Sequence, residues 1–309
     1  MKRLCFAVLL MCATVGYAMP IASSARSMIP AEIQQLIGVD YRALENSPTA
    51  MALKAQVLPD NLKELETALK GIGIDATHDL DQLNFASFRS EKKGIQTIGV
   101  AAGSFSAKAV LKKMKLKKIA ATKYGSANIY PMDNGLVMTF LDDNTLAFGT
   151  PDSLNSALDT RDGKRPSLDS NSVMTDQMAA VDGSPVWSIL DQKGTQAMMF
   201  SALGDAAKIA DYDTLKKRIL ASSYTMNFSS GVDFDLSVAT ADSVTAATLS
   251  SVVKAGMLYK KMSASPAEKI ALDATTVDSD SSNLLLHFKS DDQKFQALMH
   301  SPLFAAVSH

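Results

Sequence analysis

The sequence predicts an α+β fold of two tandem, duplicated modules, each an antiparallel sheet with helices on one face. Segments with strand and helix patterns alternate along the 309 residues. Their order in the first half recurs in the second half, which is typical of an internal duplication. In the strand-like segment VDFDLSVAT, apolar and polar residues alternate, as expected for a sheet with one covered face and one open face.

The N-terminal residues have the pattern of a secretory signal peptide. Lys2 and Arg3 precede LCFAVLLMCATV, an apolar run that is too short to span a bilayer. Small residues follow this run, and we expect cleavage near Ala18, with Ala25 as the second choice. Residues 1–25 are therefore assigned to the leader, and the protein is expected in the periplasm or outside the cell.

Both cysteines, Cys5 and Cys12, lie in this leader. Cys12 could instead carry a lipid, but bacterial lipoproteins have a small residue before that cysteine, and Met11 is large. The chain beyond the leader therefore offers no disulfide and no thiolate. Without Lys2 and Arg3 it has 29 basic residues against 32 acidic ones, which argues against nucleic acid as a partner. No later apolar run approaches the ~20 residues of a membrane span.

The first module is expected over residues 28–165. Apolar residues alternate in its shorter segments and recur at intervals of three and four in its longer ones, and Gly, Asn and Asp separate the segments. In order, the expected elements are a strand IQQLIGVD, a helical region to about residue 71, a hairpin of DLDQLNFASFRS and GIQTIGVAAG, a lysine-rich helix from Ser106, strands ANIYPM, LVMTFLD and TLAFGT, and a helix PDSLNSALD capped by Asp152 or Ser153.

A polar linker, residues 166–171 within TRDGKRPSLDSNS, leads to a second module over residues 172–305. Its elements follow the order of the first module. They are a strand SPVWSILD, a mostly helical region over residues 192–220, a hairpin of SSYTMNFSS and VDFDLSVAT, a helix from Ser243, a hairpin in ALDATTVDSDSSNLLLHF, and a closing helix DDQKFQALM.

Matched positions in the two modules have a nearly constant separation, as duplication with small insertions produces. Gly94 and Gly231 are 137 residues apart, and so are Ser106 and Ser243. The first six elements of each copy follow the βαββαβ order of a ferredoxin-like unit, and an extra hairpin strand and a helix follow.

The stretch GIQTIGVAAGSFSAKAVLKKM has the composition of a phosphate loop or a nucleophile turn. It lacks the glycine and lysine spacing of Walker and dinucleotide loops, and no second glycine follows Ser104 as in a nucleophile elbow. The corresponding turn of the second module, VATADSVTAA, has no glycine. The residues that the two turns share are Ser106 and Ser243, which we interpret as helix N-caps.

Candidate catalytic and metal-binding residues are few. No two of the four histidines have the spacing of metal ligands; they are His78, His287, His300 and His309. We place His287 on the polar face of a strand. The cluster GIDATHDLDQL, with Asp75, Asp79 and Asp81, could hold calcium, and we favour a polar loop whose aspartates bond their own backbone. The sequence predicts no cofactor and no metal.

Positive charge is concentrated in two places. Seven lysines lie between Lys108 and Lys123, on a helix that either covers the sheet or lies on anionic lipid. Arg161, Lys164 and Arg165 lie near the expected junction of the modules. They are the predicted binding residues for an anionic partner, such as a phospholipid head group or a cell-envelope polymer. The alternative is a solvated linker with flexible basic side chains.

Three segments, VWSILDQKGTQAMM, FDLSVATADSVTAATLS and SPLFAAV, resemble an uncharacterised family of exported bacterial proteins of acidobacterial type. The resemblance implies a bacterial source and export, and no activity. From the residues, we expect a non-enzymatic binding or interaction protein of the cell envelope, whose partner is an anionic envelope component or another protein. The alternative is a periplasmic hydrolase with dispersed catalytic residues.

Mass spectrometry of the exported protein should therefore show an N-terminus just after Ala18, because the short apolar run and the small residues that follow it favour cleavage there. An intact Met1, or a lipid on Cys12, would contradict the assignment of a cleaved leader.

Overall fold

The computed structural model describes residues 21–57, 60–90, 93–203, 212–301 and 304. Its strands are β1 (Ile33–Asp40), β2 (Leu80–Ser90), β3 (Gly94–Gly103), β4 (Thr122–Tyr124), β5 (Ala127–Pro131), β6 (Val137–Phe140), β7 (Thr145–Gly149), β8 (Val186–Leu190), β9 (Ile219–Asn227), β10 (Val232–Thr240), β11 (Thr275–Asp280) and β12 (Asn283–Ser290). These strands form one sheet, in the order β11-β12-β10-β9-β8-β1-β2-β3-β7-β6-β5-β4.

The α-helices of the same residues lie before, between and after the strands. They are α1 (Ser23–Arg26), α2 (Tyr41–Glu45), α3 (Pro48–Val57), α4 (Asp60–Ile72), α5 (Ala76–Asp79), α6 (Ala107–Leu116), α7 (Pro151–Arg161), α8 (Ser172–Ala179), α9 (Gln192–Leu203), α10 (Tyr212–Leu215), α11 (Ser243–Ser263), α12 (Pro266–Asp273) and α13 (Asp292–Met299). The α+β class predicted from the sequence is confirmed.

The two halves of the chain meet where β1 pairs with β8, antiparallel. Gly38 lies directly opposite Trp187, and the indole lies across the glycine, so that a Cβ on Gly38 would be 2.2 Å from Trp187 Cε2. The tryptophan is 1% exposed. The sheet is therefore continuous through this seam, and its continuity depends on a position without a side chain.

The strands on the two sides of the seam have the same order. Moving outward, the first half is β1, β2, β3, β7 and β6, and the second half is β8, β9, β10, β12 and β11. Gly94 and Gly231 have φ of 70° and 90° at equivalent hairpins, where the left-handed backbone favours glycine. Every ladder between the described strands is antiparallel, so each half is a sequence of antiparallel neighbours and not a split βαβ unit with a parallel strand pair.

Helices cover both faces of the sheet in the first half. On one face, α1, α7 and α8 pack against Leu36, Ala86 and Ile98. On the other face, α4 and α6 pack against Leu83 and Ala101. The one-sided arrangement expected from the sequence therefore does not hold here, because β2 and β3 carry apolar side chains on both faces.

The second half leaves one face of its outer strands, β10 to β12, open, while α8 covers that face at β8 and β9. There α9, α11, α12 and α13 pack on the face that carries Met226, Leu236 and Val238. The opposite side of β10 carries Asp233 and Asp235, as the alternation in VDFDLSVAT predicts. The two halves thus share a strand order and differ in how their faces are covered.

Residues 21–25, which the sequence placed in the leader, belong to the fold. Ile21 and Ala25 are buried in the core cluster that also holds Met28 and Trp187. Cleavage at the second-choice position, Ala25, would remove two of these core residues, whereas cleavage near Ala18 leaves the core intact. Residues 1–20, with both cysteines, lie outside the described residues.

The segment 166–171, the expected linker, is packed against the N-terminal part of the fold. Leu168 is buried, and its backbone N–H donates to the carbonyl of Ile29 at 2.8 Å. The side-chain amide of Asn171 donates to the carbonyl of Ala31 at 2.9 Å. The segment connects the halves without being a solvated chain.

The helix caps differ from those expected. Ser106 is at an N-cap position, but its side chain accepts no capping hydrogen bond. The cap of α11 is Asp242 and not Ser243, because the carboxylate accepts from the backbone N–H of Thr245 at 2.8 Å. The cap of α7 is Thr150 and not Asp152 or Ser153.

Replacing Gly38 with alanine should destabilise the seam, because the new methyl group would force Trp187 and the β8 backbone to move. We expect a loss of roughly 1–3 kcal/mol in the free energy of unfolding, as for other overpacked cores. Gly183→Ala is the matched control, since a Cβ at Gly183 meets nothing within 4 Å. Urea unfolding of both variants tests this, and equal stabilities would contradict the role of Gly38.

Candidate interaction surface

The basic residues predicted to bind an anion each have a carboxylate partner. Arg161 pairs with Asp162 at 2.8 Å and Lys164 with Asp159 at 2.7 Å. Arg165 lies 3.5 Å from Glu32. The bond to Asp159 raises the pKa of Lys164. Local carboxylates thus partly neutralise these side chains.

The aspartates considered for calcium bond their own backbone, as the favoured reading expected. Asp75 caps α5 by accepting from the backbone N–H of Thr77 at 3.0 Å, and this bond holds the pKa of Asp75 below its usual range. Asp79 accepts from the backbone N–H of Asp75, and Asp81 pairs with Arg42. Backbone N–H groups of the loop thus hold Asp75 and Asp79, and Arg42 of α2 holds Asp81.

The glycine-rich turn after β3 is explained by packing. A Cβ on Gly103 would be 1.9 Å from the carbonyl oxygen of Asp79, so the end of β3 can approach the start of β2 this closely only with a glycine. Ser104 accepts a hydrogen bond from Arg42 at 3.1 Å. In the α6 helix that follows, Val110 and Met114 are buried while the lysines face outward.

The most unusual surface of the second half is the outer face of α11. This helix of 21 residues shows solvent a continuous stripe, because positions three and four apart lie on one side. Its large apolar members are Val244, Leu258, Tyr259 and Met262, which are 73%, 68%, 59% and 82% exposed. Ala247, Ser251 and Ala255 lie between them. We call this stripe the α11 face.

The charge pattern along the α11 face is one-sided. No aspartate or glutamate occurs between Asp242 and Glu268 in the sequence. At 100° per residue, Lys254 and Lys261 lie along one flank of the stripe. Lys254 lies 4.0 Å from Asp278 and Lys261 pairs with Asp273, so carboxylates from outside the helix partly compensate this flank, as Asp159 does for Lys164.

Both ends of α11 are held firmly. The Asp242 cap accepts from the N–H and the hydroxyl of Thr245, and the backbone bond keeps the pKa of Asp242 below its usual range. At the other end, Ser265 and Glu268 form a capping box that begins α12. Between these ends, Ala246 and Leu249 are buried beneath the helix. The exposed side chains thus project from a fixed support.

A groove of about 560 Å³ runs between the N-terminal half of α11 and the turn between β11 and β12. Its lining is small and uncharged: Ser243, Val244, Ala247, Thr248, Ser251, Ser279 and Ser281. A second hollow of about 440 Å³ beside α6 includes Lys115, Lys118 and Tyr130. Neither lining contains a histidine or a carboxylate.

The other histidines that the sequence offered as candidates do not line either groove. His78 lies 3.6 Å from Asp75 on the exposed loop, and His300 follows α13. His309 lies outside the described residues. No helix among the residues that the structure describes is long and apolar enough to cross a membrane.

Comparison with known proteins gives a likeness of fold. No protein-family model matches the chain, and no curated protein matches its sequence. The structure of crystal form III of TP0453 is similar at 10% sequence identity, with a TM-score of 0.50, over 89% of this chain and 97% of that one. Crystal form I of TP0453 has 9% identity and a TM-score of 0.48, over 91% and 98%. At these identities the likeness concerns the fold alone.

Proposed function

We propose that this is an exported, non-enzymatic binding protein of the bacterial cell envelope, and that its α11 face lies on an anionic membrane surface. The observation that carries the proposal is the exposed apolar stripe, which has lysines on its flank and no acidic residue along its length. Surface helices of globular proteins normally expose polar side chains to solvent. We therefore infer that a partner covers this apolar stripe.

An anionic lipid surface matches the chemistry of the stripe. Helices that lie in the membrane interface bury Leu and aromatic side chains and keep lysines at the level of the head groups. Leu258 and Met262 would enter the acyl region, Tyr259 would lie at the boundary, and Lys254 would reach a lipid phosphate. The stripe from Val244 to Met262 is about 27 Å long at 1.5 Å per residue, so the contact would be extended and parallel to the membrane.

The sequence supports export, and the grooves of the structure bear on the hydrolase alternative. The leader pattern supports export, and the resemblance to exported acidobacterial-type proteins agrees with it. Neither groove supports the hydrolase alternative, because the two linings contain no histidine or carboxylate.

Binding to phosphatidylglycerol vesicles should be lost when Leu258 and Met262 are both replaced by serine. Burying these two largely exposed side chains should contribute about 3 kcal/mol, or roughly a hundredfold in affinity. Both residues are exposed, so the variant should unfold at the same urea concentration as the wild type. Vesicle sedimentation gives the affinity.

The chain offers matched controls for the other basic surfaces. Leu116→Ser removes a leucine that is 77% exposed at the end of the lysine-rich helix α6, and should leave binding unchanged. Replacing Arg161, Lys164 and Arg165 with serine tests the junction of the two halves, and should likewise leave vesicle binding unchanged. If the wild type does not bind, or if the α11 variant binds as well as the wild type, the proposal is wrong.

A further inference from the structure

A cluster of ligand-type side chains lies on the open face of the second half, away from the α11 face. Asp233 and Asp235 are alternate residues of β10 and therefore point to the same side. His287 of β12 lies directly opposite Asp235, and Lys289 lies opposite Asp233. Two carboxylates and an imidazole thus meet on one patch of sheet.

The distances between these groups suit a metal ion. Nδ1 of His287 is 2.8 Å from Oδ1 of Asp235 and 3.5 Å from Oδ1 of Asp233. One ligand atom from each residue lies within 4.8 Å of the other two. Ligand atoms placed about 2.1 Å from a zinc ion are roughly 3.0–3.4 Å apart, and the two distances from Nδ1 of His287 are close to this range.

One oxygen of the cluster accepts no hydrogen bond. Oδ1 of Asp233 is itself shielded from solvent, although the side chain is 34% exposed, and it makes no hydrogen bond among the described residues. Its nearest polar neighbour is Nδ1 of His287 at 3.5 Å. The other oxygen, Oδ2, accepts from Nζ of Lys289 at 3.0 Å, which fixes the carboxylate with Oδ1 turned toward His287. A shielded carboxylate oxygen without a hydrogen bond is costly, and a cation between it and the imidazole would remove that cost.

Cross-strand pairing alone explains only part of this arrangement. The pairs Asp235 with His287 and Asp233 with Lys289 account for two of the contacts, as in many solvated sheets. They leave Oδ1 of Asp233 unsatisfied at the centre of the cluster. Lys289 then resembles an outer-shell group that orients a metal ligand.

We propose that Asp233, Asp235 and His287 form a binding site for a divalent transition-metal ion of the zinc type. The imidazole favours zinc, cobalt or nickel over magnesium and calcium, which prefer sites made only of oxygen. Three protein ligands on an open sheet face leave further coordination positions to water or to a ligand brought by a partner.

Titration calorimetry with Zn²⁺, on protein carrying Cys5→Ser and Cys12→Ser so that no thiolate competes, tests the site. We expect one equivalent of Zn²⁺ to bind, and the affinity to fall about tenfold or more in His287→Gln and in Asp235→Asn. His78→Gln is the matched control, because His78 also faces an aspartate, Asp75, at 3.6 Å but has no third ligand in the cluster, and it should leave the affinity unchanged.

Three results would overturn the assignment. They are no binding at about 100 µM Zn²⁺, an equal loss in His78→Gln and His287→Gln, and Mg²⁺ binding as tight as that of Zn²⁺, since the last would exclude the imidazole as a ligand. Because either cluster variant could perturb the sheet, urea unfolding of both accompanies the titration. A loss of binding counts for the site only in a variant that unfolds like the wild type.

Discussion

The structure depends on the pairing of β1 with β8, where Trp187 lies across Gly38. This contact joins strands that are far apart in the sequence, since Gln35 and Ser188, which hydrogen-bond across it, are 153 residues apart. It converts two similar halves into one continuous sheet and leaves short strands, β4 and β11, at the outer edges. Closing so long a loop costs entropy, which the buried indole and the apolar residues around it help to offset.

One difference in helix placement explains why the two equivalent halves present different surfaces. In the first half, α7 follows β7 and packs on the face of α1, so both faces are covered. In the second half, α13 follows β12 and packs on the face of α9 and α11. One side of β10 and β12 is therefore left to solvent, and α11 becomes an outer helix. The α11 face and the open sheet face are consequences of that single difference in helix placement.

Local structure could be predicted well from this sequence. The hairpins around Gly94 and Gly231 follow from alternating apolar residues and a glycine at the turn, and both depend on neighbours close in the chain. The contact between Gly38 and Trp187 could not be predicted, because nothing local in either strand specifies its partner. The same holds for the coverage of both faces of β2.

The candidate sites show a similar limit. Asp233 and Asp235 were placed on the polar side of β10 by their alternation, but their approach to His287 requires the register of β10 with β12, more than fifty residues away. The concentration of positive charge predicted an anion site at Arg161, Lys164 and Arg165. Asp162 and Asp159, the partners of Arg161 and Lys164, are close in the sequence, whereas only the fold brings Glu32 to Arg165. The exposure of the stripe on α11 could not be predicted, because a buried helix has the same kinds of apolar residue. A sequence signal did exist, namely the absence of acidic residues between Asp242 and Glu268.

A fluorescent label at a single cysteine tests the membrane role of α11 most directly, because residues 21–309 contain no cysteine. With Cys5 and Cys12 replaced by serine, an environment-sensitive dye on Met262→Cys should brighten and shift to the blue when phosphatidylglycerol vesicles are added. The same dye on Thr276→Cys, an exposed position on the opposite face of the sheet, should not respond. A response at Thr276 alone, or at neither position, would contradict the account.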